Sequence, residues 1–376
     1  MAGIYLHIPF CKQACHYCDF HFSTNLDQRD ELVNSLVHEI ELQANYLQHE
    51  AIDTIYFGGG TPSLLKATEI ETLLRAIHSY HSVNPKAEIT LEANPDDLKK
   101  VKIKEFYTLG INRLSIGIQS FEDTILKFFN RAHNSEEAIQ CIEDARNAGY
   151  QNLSLDLIYA VPGQDHNQWI KNVEKAIQLE PEHISSYTLT IEEKTAFGKW
   201  AKTGKLKGVE EKFAAEEFEI LMNHLEKAGY EHYEISNFCK PGFQSKHNSN
   251  YWKQAKYLGI GPSAHSYNGD SRQFNVSNNG AYLKAIKEDK VPFELEILSR
   301  ENKINEYIFT TLRTSWGCDL SYLKESLGYD LVLNQSRYLH DLVKQGLIKL
   351  TEETVTLTHK GKFVADQIAS DLFLTS

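Results

Sequence analysis

The chain has 376 residues, 41% of them hydrophobic and 24% charged, which describes a folded protein of two or three domains and excludes a disordered one. Lys and Arg number 39 against 51 Asp and Glu, and the net charge of −12 argues against a nucleic-acid backbone or an anionic membrane surface as partner. No stretch approaches the roughly 20 apolar residues that cross a bilayer and no secretory leader is legible, so a cytoplasmic protein is expected.

In chain order, short β-branched or aromatic runs at 4–8, 54–57, 88–92, 113–118, 153–158 and 183–189 alternate with segments of helical period at 28–47, 67–79, 98–109, 135–148 and 167–179. This alternation predicts repeated βα units around a parallel sheet, and six strands are too few to close an eight-fold barrel. Beyond 189 the alternation fades into a helix over 210–228, a strand over 233–238 and a Gly- and Asn-rich region, 259–280, that reads as loops able to close over a barrel mouth. Helical segments at 307–312, 320–327 and 331–342 then precede a hairpin pairing 347–350 with 354–357, a pattern that predicts a small winged-helix-like domain. Acidic residues outnumber basic ones across it, so a protein-contact or lid role fits better than DNA binding. The expected divisions are a core over 1–235, a loop-rich connecting region over 236–300 and a C-terminal domain over 301–376.

The chemistry concentrates just after the first strand, where Cys11, Cys15 and Cys18 form a CxxxCxxC run. Thiolates at this density select zinc or an iron–sulfur cluster. His16 or His21 could complete a Cys₃His zinc site, whereas on a [4Fe–4S] cube three thiolates leave one iron open to a ligand. Cys141, Cys239 and Cys318 stand far apart and read as buried small apolar side chains. The second strand runs into Gly58-Gly59-Gly60-Thr61-Pro62-Ser63, which is either a tight turn or a place where backbone must approach a ligand. Glu92, Gln119 and Asp156 mark the third, fourth and fifth strands. The first two could be ordinary solvated strand ends, and Asp156 could be paired with a nearby Arg or Lys.

The three-cysteine loop after a first strand resembles the radical S-adenosylmethionine superfamily. The resemblance implies an open, partial (β/α)₆ TIM-like barrel whose [4Fe–4S] cluster chelates S-adenosylmethionine and supplies the electron that cleaves its sulfonium C–S bond. The local sequences Tyr5-Leu-His-Ile-Pro-Phe-Cys, Gly-Gly-Gly-Thr-Pro-Ser, Gly-Ile-Gln-Ser-Phe, Asp-Leu-Ile-Tyr-Ala-Val-Pro-Gly and Gly-Ile-Gly-Pro-Ser-Ala-His resemble the oxygen-independent coproporphyrinogen III oxidases and their relatives. That likeness implies S-adenosylmethionine contacts from Tyr5, Tyr17, Gly59, Gly60, Thr61, Glu92, Gln119, Arg131 and Asp156. His7 is either part of the same arrangement or a residue of alternate-face strand packing.

Where the decarboxylating oxidase has a further cysteine two residues after the last cluster ligand, this chain has Phe20, and it begins without that enzyme's N-terminal extension. His247-Asn-Ser-Asn-Tyr251-Trp252 matches an HNxxYW motif of a haem-chaperone group within the same branch. The resemblance therefore implies haem as cargo, haem-accepting proteins, including respiratory ones, as partners, and no catalytic residue for coproporphyrinogen III. The dehydrogenase is the alternative. His247, Tyr251 and Trp252 are the candidate haem contacts and His265 a second candidate; a polar loop anchored on the core by the two aromatics is the other reading of the motif.

Overall fold

The computed structural model describes residues 2–374. Six strands, β1 (Ala2–Ile8), β2 (Ile52–Gly59), β3 (Val83–Ala93), β4 (Arg113–Gln119), β5 (Leu153–Tyr159) and β6 (His183–Thr188), pair in parallel in chain order. Where they cross the core the strands are largely buried on both faces, as a strand needs to be when helices cover one side and a barrel interior the other, and polar side chains such as Thr90, Ser154 and Ser185 are buried with the apolar ones. In β1, Ile4, Leu6 and Ile8 are fully buried on one face while Tyr5 and His7 occupy the other.

The intervening helices, Arg29–Leu42, Ala67–Tyr80, Lys100–Thr108, Ser135–Ala148 and His166–Gln178, lay their apolar faces on the sheet. Their ends have local causes. Asn134 accepts from the Glu137 N–H in a capping box, and Gly149 at φ 106° stops that helix in the left-handed region. The first helix ends at Leu42, short of the expected 47, because turns follow and Gln48 and His49 take positive φ. Trp169, fully buried, anchors its helix by donating from Nε1 to the Glu217 carbonyl at 2.9 Å.

The sheet continues past both ends of the six-strand core. A hairpin of β7 (Glu231–Glu234) and β8 (Asn237–Cys239) adds antiparallel to β6. On the other side β9 (Lys256–Ile260) runs parallel to β1, and β10 (His265–Tyr267), β11 (Ser271–Asn275) and β12 (Phe293–Ile297) follow antiparallel, giving twelve strands in all among the described residues. The stretch 259–280, expected as loops, therefore contributes the end of β9 and all of β10 and β11 to the sheet, with turns between them. Gly259 serves close strand approach, since a Cβ there would lie 2.0 Å from the His265 carbonyl oxygen. A buried carboxylate holds this extension to the first helix. Glu39 accepts from the Gly261 N–H at 2.7 Å, from Asn275 Nδ2 at 2.7 Å and from the Tyr282 hydroxyl.

Residues 300–372 build a second core around Ile304, Ile308, Leu312, Leu339, Ile348 and Val355. The expected hairpin is present as Ile348–Leu350 and Thr354–Leu357, joined by the short strand Cys318–Asp319, with helices packed around it. Arg313 Nε meets Glu234 Oε1 at 3.1 Å and Arg272 Nη2 meets Glu306 Oε2 at 2.6 Å, tying this domain to both extensions of the sheet.

Candidate functional site

Cys11, Cys15 and Cys18 lie on the loop that leaves β1, at the C-terminal rim of the strands, and all three are free and half-buried. The loop is stapled to its neighbours by main-chain bonds, His16 N to the Phe129 carbonyl and Phe197 N to the His16 carbonyl, both 3.0 Å, and by Asn130 Nδ2 donating to the Ala14 carbonyl at 2.8 Å. Thr61 Oγ1 donates to Cys11 Sγ and Arg131 Nη1 to Cys15 Sγ, each at 3.4 Å. Burial pushes the Cys11 thiol up to about 11 and the Cys18 thiol up to about 12, so both are protonated before any metal is bound. Among the described residues no three His, Cys, Asp or Glu side chains converge as ligands of a single ion must. His16 Nδ1 is bonded to the Phe128 carbonyl and His21 Nε2 to Asn279 Oδ1, both at 2.8 Å, so neither ring is free through that nitrogen to complete a zinc tetrahedron. Three soft donors with hydroxyl and guanidinium groups aimed at the sulfur suit a cluster whose irons each take a different thiolate.

The polar strand ends converge beside this loop. Arg131 reaches the Gly117 carbonyl at 2.7 Å, Asn94 Oδ1 and, at 3.4 Å, the Tyr17 hydroxyl, while Asn94 Nδ2 donates to Thr61 Oγ1 at 3.1 Å. Tyr17 packs edge-on against Phe129, with centroids 5.1 Å apart. Glu92 accepts from the Tyr56 hydroxyl at 2.7 Å, and burial, reinforced by the charge of Asp156, raises it to about 7. Asp156 is raised by burial to about 6, although the charge of the buried Arg113 guanidinium pulls it down. Gln119 adopts φ +68°, Asn130 φ +60° and Ala160 φ +60°, so non-glycine residues in the left-handed region recur around the rim. Gly60 is required by the chain itself, because a Cβ there would lie 2.7 Å from the Phe10 carbonyl oxygen. Gly59, at φ +107°, closes on the His7 ring in the same way. Asn94, Arg113 and Tyr56 were not legible as site residues. Their signal is only their position on, or directly after, the strands β2, β3 and β4.

The HNxxYW segment forms a short helix, Lys246–Trp252, whose first amides, Lys246 N and His247 N, donate to Glu88 Oε1 at 2.9 and 3.2 Å. His247 is 1% exposed. Its Nδ1 is bonded to Thr54 Oγ1 and its Nε2 to the Tyr251 hydroxyl, both at 2.8 Å, and burial lowers it to about 3. With both ring nitrogens engaged in the interior, His247 holds the Tyr251 hydroxyl in place. Trp252 stacks under Arg313, whose guanidinium carbon lies 5.8 Å from the ring.

Tyr251 and Trp252 face a cavity of about 480 Å³ on the β1 side of the mouth. Tyr5 and His7 form its floor, Tyr257, His265, Tyr267 and Arg272 one wall, and Phe20 and His21, directly past the cysteine loop, the other. Phe20 is 74% exposed, a large apolar surface left uncovered at the edge of a pocket. The structure thus brings Tyr5, Tyr251, Trp252 and His265 together and keeps His247 beneath them.

Residues 5–176 match the Radical SAM superfamily and residues 298–364 the HemN C-terminal domain. The chain is 36% identical to the haem chaperone HemW of Bacillus subtilis over 371 residues, 98% of each chain, and 36% identical to that of Lactococcus lactis over 374 residues, 97% of each. Its backbone superposes on coproporphyrinogen III oxidase (HemN) from Escherichia coli with a TM-score of 0.86 at 22% identity, covering 99% of this chain and 90% of that one, which shows a shared fold. With a radical SAM barrel, a separate HemN-like C-terminal domain and near full-length identity to such relatives, the chain belongs to the HemW family of haem chaperones.

Proposed function

We propose that this protein binds haem and hands it to acceptor proteins, and that it does not oxidise coproporphyrinogen III. The observation that carries the reading is Phe20. Where the resemblance to the oxidase calls for a thiol, the chain places an exposed ring in the wall of an aromatic cavity next to the cysteine loop. A flat apolar cargo that must be released again suits such a half-open site better than an enclosed one.

In this scheme Cys11, Cys15 and Cys18 hold a [4Fe–4S] cluster, and Tyr5, Tyr17, Gly59, Gly60, Thr61, Glu92, Gln119, Arg131 and Asp156 hold S-adenosylmethionine. The cluster, when bound, supplies a single electron and an open iron for that ligand. The barrel, 1–235, carries these groups; the connecting region, 236–300, walls the haem cavity, and the C-terminal domain, 301–376, closes it through Thr310. No helix among the described residues is long and apolar enough to cross a membrane. Free cysteines fit a reducing compartment, and we place the protein in the cytoplasm.

The test is anaerobic reconstitution of the cluster followed by two assays on one sample, haem titration and incubation of coproporphyrinogen III with S-adenosylmethionine and reductant. Haem binding without protoporphyrinogen IX is expected. Accumulation of protoporphyrinogen IX would overturn the reading.

A further inference from the structure

Four histidines lie in or under the aromatic cavity, and three have ring nitrogens already committed. His7 is bonded to the Tyr5 hydroxyl at 3.2 Å and to the His21 carbonyl at 3.0 Å. His21 Nε2 is bonded to Asn279, and His247 is bonded at both ends. His265 differs. It starts β10, its side chain is exposed to the cavity, its ring makes only an edge contact with Phe274 at 4.7 Å, and no side-chain hydrogen bond to it exists among the described residues. Burial and the nearby Arg272 charge lower its pKa, which keeps the imidazole neutral and its lone pairs available at pH 7.

The rest of the cavity matches the other parts of haem. Tyr251, Trp252, Tyr257 and Tyr267 supply flat apolar surface for a macrocycle. Arg272 is the one permanently charged side chain lining the cavity among the described residues. Its guanidinium carbon lies 5.1 Å from the Tyr267 ring centroid, Nη1 donates to the Tyr257 hydroxyl at 3.3 Å, and Nε and Nη2 form a fork on Glu306 at 3.2 and 2.6 Å. That fork already holds a carboxylate, which is the group a haem propionate presents.

Resting on the haem-chaperone reading above, we propose that haem occupies this cavity with its iron bound by a ring nitrogen of His265 and one propionate taking the place of Glu306 on Arg272. The imidazole lone pair forms the iron bond and no proton moves. The carboxylate exchange keeps the charge on Arg272 neutralised while releasing Glu306, which belongs to the Arg300–Leu312 helix of the C-terminal domain. Loading would thereby loosen one tie between the barrel and that domain.

The experiment titrates ferric haem into cluster-loaded wild type and the variants His265→Gly, Arg272→Gln and Glu306→Gln, reading the Soret band and the dissociation constant. For His265→Gly we expect a displaced Soret band, affinity at least about tenfold weaker as for loss of a metal-site partner, and recovery of both on adding millimolar imidazole. Arg272→Gln should weaken binding by about tenfold and Glu306→Gln should strengthen it, because the competing carboxylate is gone. An unchanged Soret band and affinity in His265→Gly would overturn the assignment, as would loss of the band in His247→Gln alone. Unchanged affinity in both Arg272→Gln and Glu306→Gln would overturn the propionate exchange. Failure of the wild type to bind haem would instead overturn the chaperone reading on which this rests.

Discussion

Along β2 to β5 the strands end in groups that satisfy one another: Arg131 with Asn94 and the Gly117 carbonyl, Thr61 with Asn94, Glu92 with Tyr56. Along β1 and β9 to β11 the groups facing the mouth are rings, with one arginine among them. Preorganised polarity on one side suits a small zwitterionic, charged ligand, which must be met by fixed donors and carboxylates. Unsatisfied aromatic surface on the other suits a large planar one. The same barrel therefore offers two adjoining half-sites of different chemistry, which meet at Tyr5.

The largest expected effect separates the cysteine loop from the remaining thiols. Cys15→Ala should abolish cluster iron after anaerobic reconstitution, whereas Cys141→Ala, a change on the buried face of the Ser135–Ala148 helix, should leave iron and the brown chromophore intact; equal loss in both would erase the distinction. Next, His247→Ala strands two buried partners, Thr54 and the Tyr251 hydroxyl, and should destabilise the fold by about 2–5 kcal/mol, read from the urea midpoint. A stability change under 1 kcal/mol, together with loss of haem, would return His247 to the aromatic half-site as a ligand.

Glu39 tests how the aromatic side is held in place. Burial raises it to about 7 from an ordinary 4.5, opposed by its bonds to Tyr282, Gly261 and Asn275, so the folded state binds a proton more tightly than the unfolded one. Its contribution is complete below about pH 4.5 and is lost as pH rises through 7, a fall of about 3 kcal/mol that Glu39→Gln should flatten. On the polar side, Glu92→Gln should weaken S-adenosylmethionine by about 1.5–3 kcal/mol by calorimetry, the range for a charged hydrogen bond. Because burial places Glu92 at about 7, wild-type affinity should rise between pH 6 and 8 and the variant's should not. The smallest effect is His265→Ala, whose exposed, unbonded ring should change stability by no more than about 0.5 kcal/mol.

Much of this was legible in the chain. The six parallel strands announce themselves because burial favours short β-branched or aromatic runs between segments of helical period, and the cysteine loop stands out because three cysteines fall within eight residues. The strands β9 to β11 were hidden by Gly259, Gly261, Asn268 and Gly269, which read as loop residues although Gly259 is there to let two strands touch. With those strands went Tyr257 and Arg272, the cavity wall. His247 lies beneath the cavity for a related reason: in HNxxYW the histidine and tyrosine stand four residues apart, which on a helix places them on one face, and here they bond each other.

The central claim is that the polar and aromatic half-sites, which meet at Tyr5, hold their two ligands side by side, and the measurement that tests it most directly is a haem titration of the cluster-loaded protein with and without saturating S-adenosylmethionine. The account predicts one haem per chain in both, with a dissociation constant unchanged to within about threefold, a difference under 1 kcal/mol. Displacement of haem by S-adenosylmethionine in a competitive manner would contradict it, since both ligands would then claim the same side of the barrel mouth.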